Sequence, residues 1–405
     1  MIAFVLLFNS LSWFFIGQMI VNNVASSPSM ENSYLSMALN VAYPLSIIVS
    51  GIIGAIALTR VHRIRFFHLW LISGIGGTLL FALPASSSFS AMLIFTIFMG
   101  SSLGLGIPLC LAYFSESVPI EKRGKVGGLI FLLSSLSVPL VFFTMSPLDV
   151  FSSLVIFAAW RGWGLLAILA IPKNSRSEEP AERRDISFAS VLQDRTFLLY
   201  FIAWFVFSLV DSFESTVFRL RIDELQSFML LIEPATAGLS ALAAGLFSDW
   251  IGRKRVMIFG FVSLGVAYAI VGIASQIWTS WPGYFVTFHF FVNGLAIGLL
   301  WLLFTIVLWG DMSRYGSEKY YAIGETPLFL TQTLSPLVAS GIENIPETSA
   351  FSLAAFFLFI AVIPLLYAPE TLPEKKIQER QIQIYTKEAL KVKQKTEQRS
   401  KKNQD

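Results

Sequence analysis

Asp211 and Glu214 lie three residues apart inside an apolar run at 197–218. On a helix that spacing puts both carboxylates on one face. Two like charges so close repel, which favours one of them holding a proton near neutral pH, as a proton-binding site requires. Ionised side chains are costly in hydrocarbon, so every ionisable residue within an apolar run is a candidate functional group. Glu233, beside Pro234 in the next run, either faces a polar cavity or accepts from backbone groups that the proline frees. Arg161 stands between Trp160 and Trp163. It suits an anionic ligand, an acid on another run, or an interface shared with two belt tryptophans. His289 and Asn293 share a face four residues apart, and a histidine titrates near neutral pH. Gln18 and Asn22 share a face in the same way and could contact a small ligand without charge. Glu325, next to Gly324 and near Pro327, falls at a helix start, where an anion is favourable in any protein.

Other chemistries lack their residues. Cys110 is the single cysteine and the three histidines are scattered, so neither an intramolecular disulfide nor a metal site is expected. No G-x-x-x-x-G-K-[ST] phosphate loop occurs, which argues against an ATP-driven pump. The nearest match to an intramembrane serine protease motif, Gly238-Leu-Ser240-Ala, lacks the final glycine. The expectation is a chain that is not an enzyme, with no cofactor and no nucleic-acid partner.

The elements that carry these residues are set by composition. Of 405 residues, 55% are hydrophobic and 14% charged, with mean hydropathy +0.68. Soluble domains are about a quarter charged, so a soluble enzyme and a disordered chain are both excluded. A helix needs about 20 apolar residues to cross hydrocarbon. Twelve runs qualify, at 2–25, 34–58, 66–85, 89–114, 125–146, 150–172, 197–218, 227–248, 256–277, 283–309, 323–343 and 349–368. They are too long for barrel strands and do not alternate. With Met1 inside, the inside connections hold sixteen Lys and Arg, whereas the outside ones hold only Arg219 and Arg221. That asymmetry fixes the orientation, with both termini cytoplasmic. The first run lacks the basic start of a signal peptide and is too long for one.

The polar stretch 173–195 divides the runs six and six. The expected units are a bundle at 1–172, a cytoplasmic central loop at 173–195, a second bundle at 196–369, and a charged cytoplasmic tail at 370–405. The ten Lys and Arg of the tail are solvated or touch anionic headgroups.

After the eighth run the chain reads Gly245-Leu-Phe-Ser-Asp249-Trp-Ile-Gly252-Arg253-Lys254-Arg255. Gly245 allows close helix approach, and Gly252 allows a tight turn with positive φ. Asp249 suits a helix N-terminus, while Arg253, Lys254 and Arg255 anchor the loop inside. A degenerate copy, Gly54-Ala-Ile-Ala-Leu58-Thr-Arg60-Val-His-Arg63, follows the second run. This pair of loops resembles the G-x-x-x-D-R-x-G-R-R motif of the major facilitator superfamily. Glu116-Ser-Val-Pro119-Ile-Glu-Lys-Arg123-Gly124 resembles the family's E-x-x-P-x-x-x-R-G connection, and Pro369-Glu370-Thr371 its sugar-porter ending. The fifth run, Gly127-Gly128 through Pro139, departs from the glycine-rich pattern of the drug–proton antiporters.

The resemblance implies an all-α integral membrane protein with two six-helix bundles and twelve transmembrane helices around a central cavity. It implies a secondary transporter of a small molecule, with Asp211, Glu214 and Glu233 as proton-coupling candidates. Gln18, Asn22, Arg161, His289 and Asn293 become substrate-contact candidates. Gly245, Asp249, Gly252, Arg253 and Lys254 become a gating loop, with Asp249 latching the halves near Gly124 and Lys125. The lipid bilayer of the cell membrane, a monomeric state, and protons or another coupling ion complete the expectation. A uniporter, a multidrug exporter of the same fold, or a receptor or scaffold that does not transport are the alternatives.

Overall fold

The computed structural model describes residues 1–25, 33–57, 62–81, 88–145, 147–170, 186–221, 226–277, 283–313, 316–342 and 345–372. Every regular element among the described residues is helical. The first six helices are α1 (Ile2–Ala25), α2 (Ser33–Ala57), α3 (Arg63–Phe81), α4 (Phe89–Ser117), α5 (Arg123–Met145) and α6 (Val150–Ala170). A short α7 (Phe188–Gln193) leads into α8 (Arg195–Arg221), α9 (Gln226–Ile251), α10 (Arg253–Ile277) and α11 (Gly283–Trp301). After a π-helical stretch, Leu302–Leu308, come α12 (Trp309–Met312), α13 (Ser317–Gly324), α14 (Thr326–Ile342) and α15 (Glu347–Tyr367). Leu58, Arg60 and Val61 of the degenerate loop, residues 173–185 of the central connection and the tail from 373 lie outside the described residues, as do the side chains of Arg219 and Arg221.

Ten helices among the described residues are long and apolar enough to cross a membrane. The two remaining expected runs, 66–85 and 323–343, correspond to α3, of 19 residues, and α14, of 17. The eleventh run is also not one helix: α13 ends at Gly324, and α14 begins at Thr326 beyond Glu325. Pro327 explains the break, since it has no N–H to continue the ladder.

Apolar side chains face both inward and outward. Phe259, Val262, Val266, Ile270, Ile273 and Ile277 form an exposed stripe along α10 at three- and four-residue spacing. The opposite face of that helix buries Met257, Phe261, Leu264, Tyr268 and Val271. A stripe of this length on a helix that is also buried on its other side matches a lipid-facing surface.

Helices α1–α6 pack with one another, and α8–α15 form a second group. The groups meet where α5 packs on α9 and where α2 packs on α14. Small residues permit this closeness. Gly128 of α5 lies against the backbone of Ala241 and Leu242 in α9, where an added Cβ would come within 2.6 Å of the Ala241 carbonyl oxygen. Within the first group, Gly100 and Gly104 of α4 rest on Tyr43, Ser46 and Ile47 of α2. The π-helical stretch packs against α5, where Leu302 and Ile306 cover Gly127. Tyr321 donates its hydroxyl to the Ile306 carbonyl at 2.7 Å, so a carbonyl within the widened turn has a partner.

Candidate functional site

Four helices bring a set of buried polar side chains together in the second group. Glu214 projects from α8 and His289 from α11, and Glu214 Oε1 lies 2.8 Å from His289 Nε2. The two side chains are 4% and 2% exposed, so water does not share this contact. Tyr268 of α10 stacks over the imidazole, with ring centroids 6.1 Å apart and planes 21° apart. Its hydroxyl donates to Asn293 Oδ1 at 3.0 Å. Asn293, one turn after His289 on α11, donates from Nδ2 to Glu233 Oε1 of α9 at 3.4 Å. Asp211 is half-buried one turn before Glu214, close enough for the two carboxylates to act on each other electrostatically. Glu233 feels both charges. Three acids, an imidazole and a phenol therefore lie in one region. A proton shared between Glu214 and His289 satisfies that hydrogen bond whichever of them carries it. The Tyr268–Asn293 pair then ties Glu233 to the same network.

A second polar cluster joins the two helix groups. Asp249, at the end of α9, accepts the backbone N–H groups of Gly124 at 3.0 Å and Lys125 at 2.7 Å, at the start of α5. These are among the N–H groups that a helix start leaves without intrahelical partners. Arg253 forms an ion pair with Asp249 and donates from Nε to Asp311 Oδ2 at 3.0 Å and from Nη2 to the Ile120 carbonyl at 2.7 Å. Arg123 reaches Asp311 Oδ1 at 2.8 Å from the other group, so one buried carboxylate joins two arginines. Gly252 has φ of 108°, a conformation open to glycine, and it turns the chain from α9 into α10. Glu370 accepts the N–H groups of Arg253 at 2.8 Å and Lys254 at 3.2 Å, and Lys254 Nζ donates to the Leu366 and Ala368 carbonyls. On the neighbouring seam, Arg63 pairs with Glu116 and lies 3.8 Å from Glu318, while Ser317 donates to Glu116 at 3.2 Å. Among the described residues, these hydrogen bonds and ion pairs between the two groups gather at one end of the molecule.

No protein-family model matches the chain, and no curated protein matches its sequence. Solved structures do. The crystal structure of the human organic anion transporter MFSD10 (TETRAN) is similar with a TM-score of 0.66 and 17% identity, over 90% of this chain and 98% of that one. The proton:xylose symporter XylE, bound to 6-bromo-6-deoxy-D-glucose, is similar with a TM-score of 0.68 and 14% identity, over 91% of this chain and 96% of that one.

The fold is that of the major facilitator superfamily.

Within this major facilitator fold the sequence candidates separate into four places. Asp211, Glu214, Glu233, His289 and Asn293 share the network in the second group. Gly245, Asp249, Gly252, Arg253 and Lys254 lie at the joint between groups, where Gly245 and Gly124 meet backbone to backbone. Gln18 and Asn22 remain on α1, where Gln18 Nε2 donates to Asn22 Oδ1 at 3.1 Å and Gln18 Oε1 is sealed without a partner.

Arg161 stands apart. Its side chain is 0% exposed inside the first group, so it does not snorkel to an interface. The guanidinium lies between Trp13 and Trp70, 4.7 and 4.2 Å from the ring centroids. Nη1 donates to Asn9 Oδ1 at 3.1 Å and Ser10 Oγ at 3.2 Å, while Nε and Nη2 have no hydrogen-bond partner. Among the described residues no carboxylate pairs with it.

Tyr268, Asp311, Ser317 and Glu318 are participants that the sequence did not single out. Tyr268 gave no signal among so many aromatic residues. Asp311 did give one: it ends the tenth run as Glu116 ends the fourth, and each meets the arginine that opens the helix before it, Arg253 and Arg63.

Proposed function

We propose that this chain is a multi-pass secondary transporter that moves a small solute by alternating access, with proton coupling at Asp211, Glu214 and Glu233. The joint between helix groups carries the proposal. Asp249 on one group holds the start of α5 on the other through directional contacts that can be made and broken, as a gate requires. The groups rock about a site between them, and the joint closes one end. With both termini in the cytoplasm that closed end is the inner one, and twelve crossings run as bundles 1–172 and 196–369 around the loop at 173–195. The tail at 370–405 stays on the inner face.

Similarity in fold supports transport rather than catalysis. One solved neighbour carries organic anions and the other carries xylose with protons, and at this identity neither cargo transfers to this chain. The acids of the second group favour a neutral or cationic solute. Gln18 and Asn22 offer it uncharged contacts, and His289 and Asn293, beside the carboxylates, are the further contact candidates. The protein works as a monomer in the cell membrane.

The test is a thermal-shift screen of the purified full chain against solutes at mildly acidic and mildly alkaline pH, because a ligand that binds the folded state raises its stability. A solute that stabilises in a pH-dependent way supports coupled transport. Stabilisation indifferent to pH removes the proton from the proposal, and stabilisation by no solute favours a chain that does not transport.

A further inference from the structure

Glu325 lies between α13 and α14, where the second helix group meets α2 and α4 of the first. Its side chain is 7% exposed, and Oε1 is sealed from solvent without a hydrogen-bond partner. The residue lines a small crevice between the groups. The wall opposite is Ile47, Ile48 and Gly51 of α2 and Ile107 and Pro108 of α4, none of which offers a side-chain donor. Thr326, which also lines the crevice, donates its hydroxyl to the Ala322 carbonyl at 3.0 Å.

Ionisable groups on the surrounding elements are engaged elsewhere. On α13, Glu318 lies 3.8 Å from Arg63, and Lys319 donates to the Ile186 carbonyl. Tyr321 of α13 gives its hydroxyl to the Ile306 carbonyl. Asp311 is held by Arg123 and Arg253. On α2 and α4, Tyr43 and Tyr113 lie a turn or more away from the crevice-lining residues of their own helices and are buried in the first group.

An ionised carboxylate with no donor is strongly disfavoured in such a place, whereas the neutral acid is tolerated. We propose that Glu325 is a second proton-binding site, which holds a proton while the seam between the helix groups is closed and gives it to water when the seam opens. The proton leaves the carboxyl oxygen for water entering the crevice, and returns before the seam can close on the apolar wall. The proposal rests on alternating opening of the groups. It adds to the network at Glu214 a site where the second helix group faces α2 and α4.

The experiment measures seam opening directly. Cys110 is buried and is the only native cysteine, so Cys110→Ala gives a background for a reporter. Ile48→Cys then places a thiol in the crevice wall, and Ala57→Cys gives an exposed reference on the same helix. The full chain in lipid nanodiscs is labelled with a maleimide across a range of pH, and the rate at position 48 is divided by that at position 57 to remove intrinsic thiol chemistry. The ratio is expected to rise with pH by up to about tenfold per unit, the limit for release of one proton. Glu325→Gln, which imitates the neutral acid, should stay slow and flat. Glu325→Asp keeps a titrating acid and should keep the slope, which also serves if Glu325→Gln does not fold. A flat ratio in the parent protein overturns the proposal, as does the same slope in Glu325→Gln. Loss of the slope in Glu325→Asp would reduce Glu325 to a packing residue. If position 48 is never labelled while solute flux is intact, the seam site fails and transport stands. If flux is absent and the slope is present, transport fails and the proton site stands.

Discussion

Asp249 in one helix group takes the backbone N–H of Lys125 in the other at 2.7 Å, and the same carboxylate holds the N–H of Gly124. The bond crosses between groups, so its strength sets how readily this end opens. Hydrogen bonds to charged groups contribute about 1.5–3 kcal/mol each. Asp249→Asn keeps one acceptor and loses the pairing with Arg253, and Asp249→Ala loses both. The melting temperature of the purified protein is expected to fall in the order parent, Asn, Ala. Equal melting temperatures in all three would show that the contact does not hold the groups together.

Gly245 and Gly124 meet so closely that neither has room for a Cβ. Gly245→Ala should force α5 from α9, at the cost of roughly 1–3 kcal/mol that overpacking carries. Protease sensitivity at this end should rise, and the same treatment of Gly76→Ala, a glycine with nothing near its missing Cβ, should show no change. Similar digestion of both variants would contradict the close approach.

Gly252 adopts φ of 108°, and an added Cβ there would fall on the Glu370 carboxylate. Gly252→Ala should lower stability by about 1–3 kcal/mol, the range for backbone strain of this kind. Combining it with Glu370→Ala should recover part of the loss by removing the clash. No recovery would leave strain as the whole effect.

In the sequence Arg161 suits an anionic solute, an acid on another run or an interface, and the structure places it in a sealed site between two tryptophans. Burying an ion costs several kcal/mol, and with no carboxylate beside it among the described residues Arg161 offsets that cost through two tryptophan faces and the hydrogen bonds to Asn9 and Ser10. Arg161→Met should keep or raise the melting temperature and leave solute affinity unchanged. A large loss of affinity with stability intact would make it a binding residue after all.

Much of the fold was legible in the sequence because the hydrocarbon core demands long apolar helices, and a charge within one is conspicuous. Asp211, Glu214, Glu233 and His289 were each visible for that reason, and Asn293 by its place one turn after His289. Their convergence was not, since Glu214 and His289 come from helices 75 positions apart and nothing local joins them. The widened turn at 302–308 also escaped notice. Tyr321 reaches its Ile306 carbonyl from a different element, a contact that periodicity cannot register. The break at Glu325 had its cue in Gly324 and Pro327, but the apolar run continued through it.

The measurement that tests proton-coupled transport most directly is uptake into proteoliposomes, with a stabilising solute and an imposed pH gradient. The parent protein is expected to concentrate the solute above its external level. The double variant Asp211→Asn, Glu214→Gln should only equilibrate it, with unchanged exchange of solute for solute. Accumulation that persists in the double variant would remove coupling from these carboxylates, and absence of any flux in the parent protein would contradict transport itself.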